Sequence, residues 1–345
     1  MTNVDIPRDK PSRPGSSRAT ISDVARLAGV SLKTASRVLT NSPNVKDSTR
    51  KKVLDAATAL RFRPNAIARD LRNGGVATTI GFVIGDLTNP FYALVAAGIS
   101  QTASDRGLTL VMAASDDDPQ RERPTVTSML ERRVQALLLV PIAEDHAYLE
   151  GERQLGTPII AVDRPLSHAA SDVVVFDNRS GARDGTRALI DAGHRRIAFV
   201  GSSESLYTHG ERARGYRDAL GGAGIPIDES IVRTDAPSVE TAAQSTLQLL
   251  DSSEPPTAIF AGNNRAAIGV HRAIAARGTT TALMGFDDFD FAEALGISVV
   301  SHSPVEMGRV AANLAFRRLD EMTGPLENIV LSTSVKLRRS HLLTP

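Results

Sequence analysis

Leu32, Lys33, Ser36 and Arg37 of the stretch GVSLKTASRVL (residues 29–39) combine side chains that can recognise a polyanion with a spacing that puts them on one surface. At helical periodicity they face away from Ala35, Val38 and Leu39. The guanine edge in a DNA major groove offers two acceptors to a guanidinium fork, and the thymine methyl offers an apolar contact. Arg37 therefore suits guanine, Leu32 a methyl or base edge, and Lys33 either a guanine or a phosphate. A helical hairpin with a merely charged surface fits the same pattern.

A second set of polar residues follows short apolar runs. Asp177 and Asn178 follow VVVF, Asn263 and Asn264 follow AIFAG, Asp287 follows MGF, and Phe91 follows DLTNP. Ligands of parallel sheets sit beyond the carboxyl ends of the strands. A polyhydroxylated ligand needs acids and amides for its hydroxyls, an Arg to fork onto adjacent oxygens, and an aromatic face for its apolar side. Arg212, in ERARGY, can be that Arg. For each residue alone, an Asp or Asn at a strand end also serves simply as the cap of the next helix. The seven histidines are scattered without metal-ligand spacing.

Local signals place the first set. Thr20 and Asp23 form a capping-box pattern, and Ile21, Val24, Ala25 and Ala28 then share a face, which predicts a helix over 21–28. Gly29 suits a left-handed C-terminal residue, and Ser31 can cap the next helix. Two helices joined so closely make a helix-turn-helix. A third helix over about 47–60 brings Val53, Leu54, Ala57 and Leu60 to the core, with Arg50, Lys51 and Lys52 near its start. Pro64 then breaks helix, Asn65 can cap, residues 66–71 make under two turns, and Gly74-Gly75 releases the chain. So short a helix is unstable alone and needs an outside partner.

From Thr78 the pattern changes to apolar runs (TIGFVIG, LTLVMAA, ALLLVP, PIIAVD, VVVF, RIAFVG, TAIFAG, TALMGF) that alternate with helical stretches. Such runs imply parallel sheets covered on both faces, and their number favours two α/β lobes. Charge divides at the same place. Residues 1–75 hold 15 Lys and Arg against 6 Asp and Glu (+9), and the remainder 25 against 33 (−8), so a small basic module precedes a large acidic one.

These stretches resemble the lactose-repressor/galactose-repressor (LacI/GalR) family of bacterial transcription regulators. ATISDVARLAGVSLKTASRVL, STRKKVLDAATALRFRPNAIARDLR, DLTNPFYALVAAGI, VDR, GHRRIAFVG, ERARGY, MGFDD and LRRS appear in family order from about Ala19 to Ser340. The resemblance implies an N-terminal all-α helix-turn-helix domain with a hinge helix, followed by an α/β two-lobed periplasmic-binding-protein-like effector domain. Residues 1–18 are expected as a disordered arm, 19–63 as the DNA-binding domain and 64–77 as hinge helix and linker. Residues 78–345 are expected as the effector-binding and dimerisation domain, with one lobe at about 78–177 plus 304–323 and the other at about 178–303 plus 324–345. The candidate DNA-contacting set is Leu32, Lys33, Thr34, Ser36, Arg37 and Asn41, with Asn65, Ala68 and Leu71 in the hinge, where the family wedges Leu71 into the minor groove. By resemblance Phe91, Asp177, Thr208, Arg212, Asn263 and Asp287 contact the effector.

Several positions depart from the family. Lys46 replaces a frequent capping Ser, Phe62 a frequent Tyr, and Asn264 a frequent Asp. SVVSHSP replaces a Thr-Thr and Gln pattern, Ala236 and Pro237 stand where many relatives have an aromatic, and the 278–286 segment is shorter. The expected partners are double-stranded operator DNA, a small effector and a second copy of the chain. A sugar or sugar derivative comes first as effector, and a nucleobase or nucleoside acting as corepressor second. Only His341 to Pro345 follow LRRS, so the extra helix of tetrameric relatives is not expected.

An enzyme or a solute receptor on the same two-lobed fold is the competing class. The sequence has no GxGxxG, P-loop, GxSxG or HExxH pattern, no Cys, and no apolar run of membrane-spanning length. No catalytic residue, cofactor or metal is expected. A solute receptor would carry an export signal, and the polar start gives none, so a cytoplasmic protein is expected.

Overall fold

The computed structural model describes residues 19–40, 42–62, 78–321 and 324–342, in two compact units divided after Val76. The first unit holds three helices, α1 (Ile21–Ala28), α2 (Leu32–Leu39) and α3 (Asp47–Ala59). Thr20 and Asp23 close both bonds of the capping box on α1, which ends on Gly29 at φ 65°. That backbone strains any residue with a Cβ, so glycine there sets the sharp turn into α2. Ser31 caps α2 through the Thr34 N–H. Val24, Ala25, Ala35, Val38, Val53, Ala56 and Ala57 form the core, and Leu39 and Leu60 close its edge. Leu54 does not join them as its apolar character suggested. It is 47% exposed, because the turn from buried Val53 carries the next side chain off the core face and Ala56 takes the place. Lys46 precedes α3 without a side-chain cap bond.

The second unit begins with β1 (Thr79–Ile84), α4 (Pro90–Ser104), β2 (Thr109–Ala114), α5 (Pro119–Glu131), β3 (Leu137–Leu139), α6 (Glu150–Gln154), β4 (Ile159–Val162) and β5 (Asp172–Phe176). It continues with α7 (Asn178–Asp191), β6 (Ile197–Val200), α8 (Tyr207–Gly222), β7 (Val232–Arg233), α9 (Val239–Leu250), β8 (Ala258–Ala261), α10 (Asn264–Arg277) and β9 (Ala282–Phe286). The last elements are α11 (Asp290–Ala294), β10 (Ser298–Ser301), α12 (Pro304–Asp320), β11 (Asn328–Leu331) and β12 (Ser334–Lys336).

The strands make two six-stranded sheets, ordered β11-β5-β4-β3-β1-β2 and β12-β10-β9-β8-β6-β7. All pairings are parallel except β10 with β12. Continuous burial along β1, β3, β4, β6, β8 and β9 reflects helices on both faces, which is why these strands read as unbroken apolar runs.

The chain passes from one sheet to the other between Phe176 and Asn178, between Ser301 and Pro304, and between Leu331 and Ser334. The third passage corrects the expected lobe boundary. Residues 324–345 do not all belong to the second lobe, because Asn328–Leu331 pairs in parallel with Val173–Phe176 of the first sheet. Only β12 and the following turn at Ser340–Leu342 join the second. Helix α12 returns to the first lobe and packs closely against α4. A Cβ on Gly98 would collide with the Val305 carbonyl, and one on Gly308 with the Val95 carbonyl, so two glycines set this crossing. Among the described residues no helix is long and apolar enough to cross a membrane.

Candidate functional site

The α2 face presents the residues expected from its periodicity. Leu32 is 51% exposed, Lys33 and Arg37 are exposed, and Thr34 and Ser36 are half-buried. An exposed leucine beside two exposed cationic side chains has no role in the core beneath it, where Ala35 and Val38 are buried. Thr34 has a further task, since its hydroxyl lies 2.8 Å from Ser31 Oγ and its N–H donates to that same oxygen. Arg50 donates to the Ser42 carbonyl at 2.6 Å and so ties α3 to the end of the α2 turn. Asn41, Asn65, Ala68 and Leu71, and with them the expected hinge helix, lie outside the described residues.

In the second unit the strand ends converge on a buried polar node. Arg212, on α8, donates through Nε to Asn178 Oδ1 at 2.8 Å and through Nη1 to the Gly262 carbonyl at 2.9 Å. Its Nη2 lies 3.3 Å from Asp287 Oδ1, and its guanidinium stacks 3.8 Å from the centre of the Phe286 ring. Asp287 follows β9 with φ 70°, a left-handed backbone that an Asp tolerates at some cost and that turns its carboxylate back toward Arg212. Its Oδ1 also meets His302 Nε2 at 2.7 Å, and its Oδ2 accepts the Asn264 N–H at 3.3 Å. Burial would raise the Asp287 carboxyl, but the Arg212 charge and the His302 and Asn264 bonds hold it well below the usual carboxylate range.

Around this node, Phe176 stacks on the His302 ring at 4.0 Å and Phe91 meets it edge-on at 5.8 Å. Burial raises the Asp163 carboxyl, against the opposing pull of Arg164, Arg212 and His302. Burial first, then the Arg212 and Arg164 charges, push His209 down to about 3, so its ring is neutral near pH 7. Two cross-links join the lobes beside the node. Asn264 Nδ2 donates to Asn89 Oδ1 at 3.1 Å, and Arg265 binds Asp86 and, at 2.7 Å, Thr88 Oγ1.

A cavity of about 330 Å³ on the second lobe has no such node, whereas one of about 530 Å³ is lined by Phe91, Leu94, Asn264, Arg265, Asp287 and His302 with neighbouring residues. Of the six expected effector residues, Phe91 and Asp287 line it, and Arg212 adjoins it through Asp287. Thr208 is buried at the start of α8, one turn from Arg212. Asp177 and Asn263 each cap a helix, accepting through Oδ1 the Ser180 N–H at 3.1 Å and the Ala266 N–H at 2.7 Å. His302 was not among the expected site residues. Its signal was the SVVSHSP departure itself, a histidine just past a strand end. Asp163 and Arg164 carried one too, in the VDR motif after the PIIAV run.

Comparison with known proteins accounts for both units. Residues 20–65 match the model described as bacterial regulatory proteins, lacI family, and residues 77–309 that of periplasmic binding proteins and sugar binding domain of LacI family. Catabolite control protein A of Priestia megaterium is 32% identical over 330 residues, 93% of this chain and 98% of that protein. The solved complex of the transcriptional regulator CelR with cellobiose is 28% identical, with a TM-score of 0.69 over 94% of this chain and all of that one. The Cra transcriptional dual regulator of Pseudomonas putida, solved with fructose 1-phosphate, is 27% identical, with a TM-score of 0.70 over 76% of this chain and 99% of that one.

Proposed function

Since the chain belongs to the LacI family of DNA-binding transcriptional regulators, we propose that it is a dimeric repressor acting in the cytoplasm, released from its operator by a carbohydrate bound in the cleft. The observation that carries this reading is the Arg212–Asp287–His302 node beside a 530 Å³ cavity, on a chain that also presents Leu32, Lys33 and Arg37 on an exposed helix.

In this reading α2 enters the major groove, Arg37 forks onto a guanine, and two copies related by a two-fold axis select a near-palindromic site. In the cleft, hydroxyls of the sugar form hydrogen bonds with Asp287 and His302 while its apolar face lies against Phe91. Binding matters for DNA only through a difference. The effector releases operator if it binds the low-affinity arrangement of the lobes more tightly than the DNA-bound one. The residues 64–77 connect the two units and would transmit that arrangement.

Fluorescence anisotropy of the full chain on DNA from upstream of its own gene, with sugars and nucleosides added in turn, tests the reading. Release by a sugar supports it. Tighter binding in the presence of a ligand makes the system a corepressor, a nucleoside response moves the effector class, and absence of operator binding refutes the assignment of α2.

A further inference from the structure

We propose that Asn264 and Arg265, on the first turn of α10, latch the second lobe to Asp86, Thr88 and Asn89 of the first, and that this polar contact, not the three chain passages alone, sets how readily the lobes part. Such a latch goes beyond the proposed function and operates whichever effector the cleft takes.

Asp86, Thr88 and Asn89 lie in the turn between β1 and α4, so their bonds to Asn264 and Arg265 join segments 175 to 179 residues apart in the chain. The passages at 177, 302–303 and 332–333 are covalent and persist in every arrangement of the lobes. The polar contact can break. Thr88, Asn264 and Arg265 also line the 530 Å³ cavity, together with His302 and Pro304 beside the middle passage. Wherever the lobes separate along that wall, the latch must open.

Each group in the latch is oriented by a second bond. Asn264 Oδ1 accepts the Arg265 N–H at 2.8 Å, which fixes the amide with Nδ2 toward Asn89. Asn89 Oδ1 receives that donor and the Phe91 N–H, both at 3.1 Å. A carboxylate at 264 would set acceptor against acceptor, so the departure to Asn supplies the donor that this contact needs. Arg265 Nη2 meets Asp86 and Thr88 Oγ1, and Asp86 is steadied by the Thr88 N–H at 2.7 Å. Burial would raise the Asp86 carboxyl, but the Thr88 and Arg265 bonds hold it below the usual carboxylate range, so it is charged near pH 7. The Arg265 and Asp86 side chains are 27% and 22% exposed, so dissolved salt still reaches the pair. Both halves are also tied to the node. The Asn264 N–H donates to Asp287 Oδ2 at 3.3 Å, and Asn89 caps the helix that carries Phe91 against His302. Movement of Asp287 or Phe91 therefore reaches the latch through one bond.

Because the chain has no cysteine, nitroxides at Thr127→Cys on α5 and Gln244→Cys on α9, both exposed positions, report the distance between the lobes by double electron–electron resonance. Labelled full chain is diluted into excess unlabelled chain so that distances within one copy are read. Arg265→Glu sets like charge against Asp86 and should raise the population at longer distance roughly tenfold or more. Asp86→Asn keeps an oxygen for the Thr88 N–H and should raise it about two- to fivefold. The double variant removes the repulsion and should lie closer to wild type than Arg265→Glu alone, a rescue that damage to folding would not show. Salt at about 1 M should narrow the gap between Arg265→Glu and wild type. Unchanged distance distributions in both single variants overturn the inference and leave the lobes held by the passages and their packing. An Arg265→Glu shift that Asp86→Asn fails to relieve also overturns it, since Arg265 would then act without Asp86.

Discussion

Replacing Arg212 with Ala separates the proposed ligand contact from the structural role that its buried partners give this side chain. The substitution removes two hydrogen bonds, the 3.3 Å approach to Asp287 and the stacking on Phe286, all in a place where Arg212 and Asp287 are 5% and 11% exposed. Removing one member of a buried charged pair costs about 3–5 kcal/mol, since the other charge stays behind without compensation. The pH dependence has a definite sign. In the wild type the Asp287 carboxyl is depressed, so its contribution to stability is present above the unfolded carboxylate value and lost as pH falls through the folded one. Without Arg212 the burial that opposes ionisation gains weight, and Asp287 moves upward; a raised carboxyl instead costs stability as pH rises. The deficit of the variant should therefore be larger at pH 8 than at pH 5. Urea titration followed by circular dichroism at the two pH values measures it, and operator anisotropy with the effector checks that the response is lost. A deficit below about 1 kcal/mol that is equal at both pH values would refute the claim that Arg212 neutralises a buried carboxylate.

Three other substitutions test the remaining elements. Arg37→Ala should relax base preference at one operator position at a cost of about 1–3 kcal/mol, read by anisotropy on singly substituted operators; equal loss on every sequence would assign Arg37 to phosphate. Lys46→Ser supplies the cap that α3 lacks and should stabilise the first unit by about 0.5–1 kcal/mol, seen as a higher melting temperature of that unit's transition, whereas an unchanged melt would mean the α3 N-terminus is satisfied in another way. Gly308→Ala should destabilise the second unit by about 1–3 kcal/mol in urea, through the clash with the Val95 carbonyl; a neutral result would show that α4 and α12 can separate freely.

The first unit was legible because its signals are local. Thr20, Asp23, Gly29 and Ser31 each act within four residues of their partners, and each is found doing what its type predicts. Leu54 was misplaced because apolar character alone does not fix a helical face when Val53, Ala56 and Ala57 already fill it. Sheets were legible as buried apolar runs, but the assignment of Asn328–Leu331 was not. Its pairing with β5 spans about 150 residues, and a four-residue strand with alternating exposure carries no mark of which sheet it joins. In the cleft the same limit applies. Asp287 stands out at a strand end and Arg212 through family resemblance, yet the convergence of Arg212 and His302 on Asp287 depends on how distant segments meet.

The three passages between the sheets also fix what kind of motion the cleft can make. Two bodies joined by a single strap can swing and twist in any direction, whereas each added strap removes freedoms that would stretch it. With three short straps, at 177, 302–303 and 332–333, the lobes can turn by a limited angle but cannot drift apart or slide freely. The middle strap contains His302 itself, so a ligand that engages this residue grips the pivot and the adjoining wall together. In mechanical terms the second unit is a constrained joint with a buried histidine on its axle.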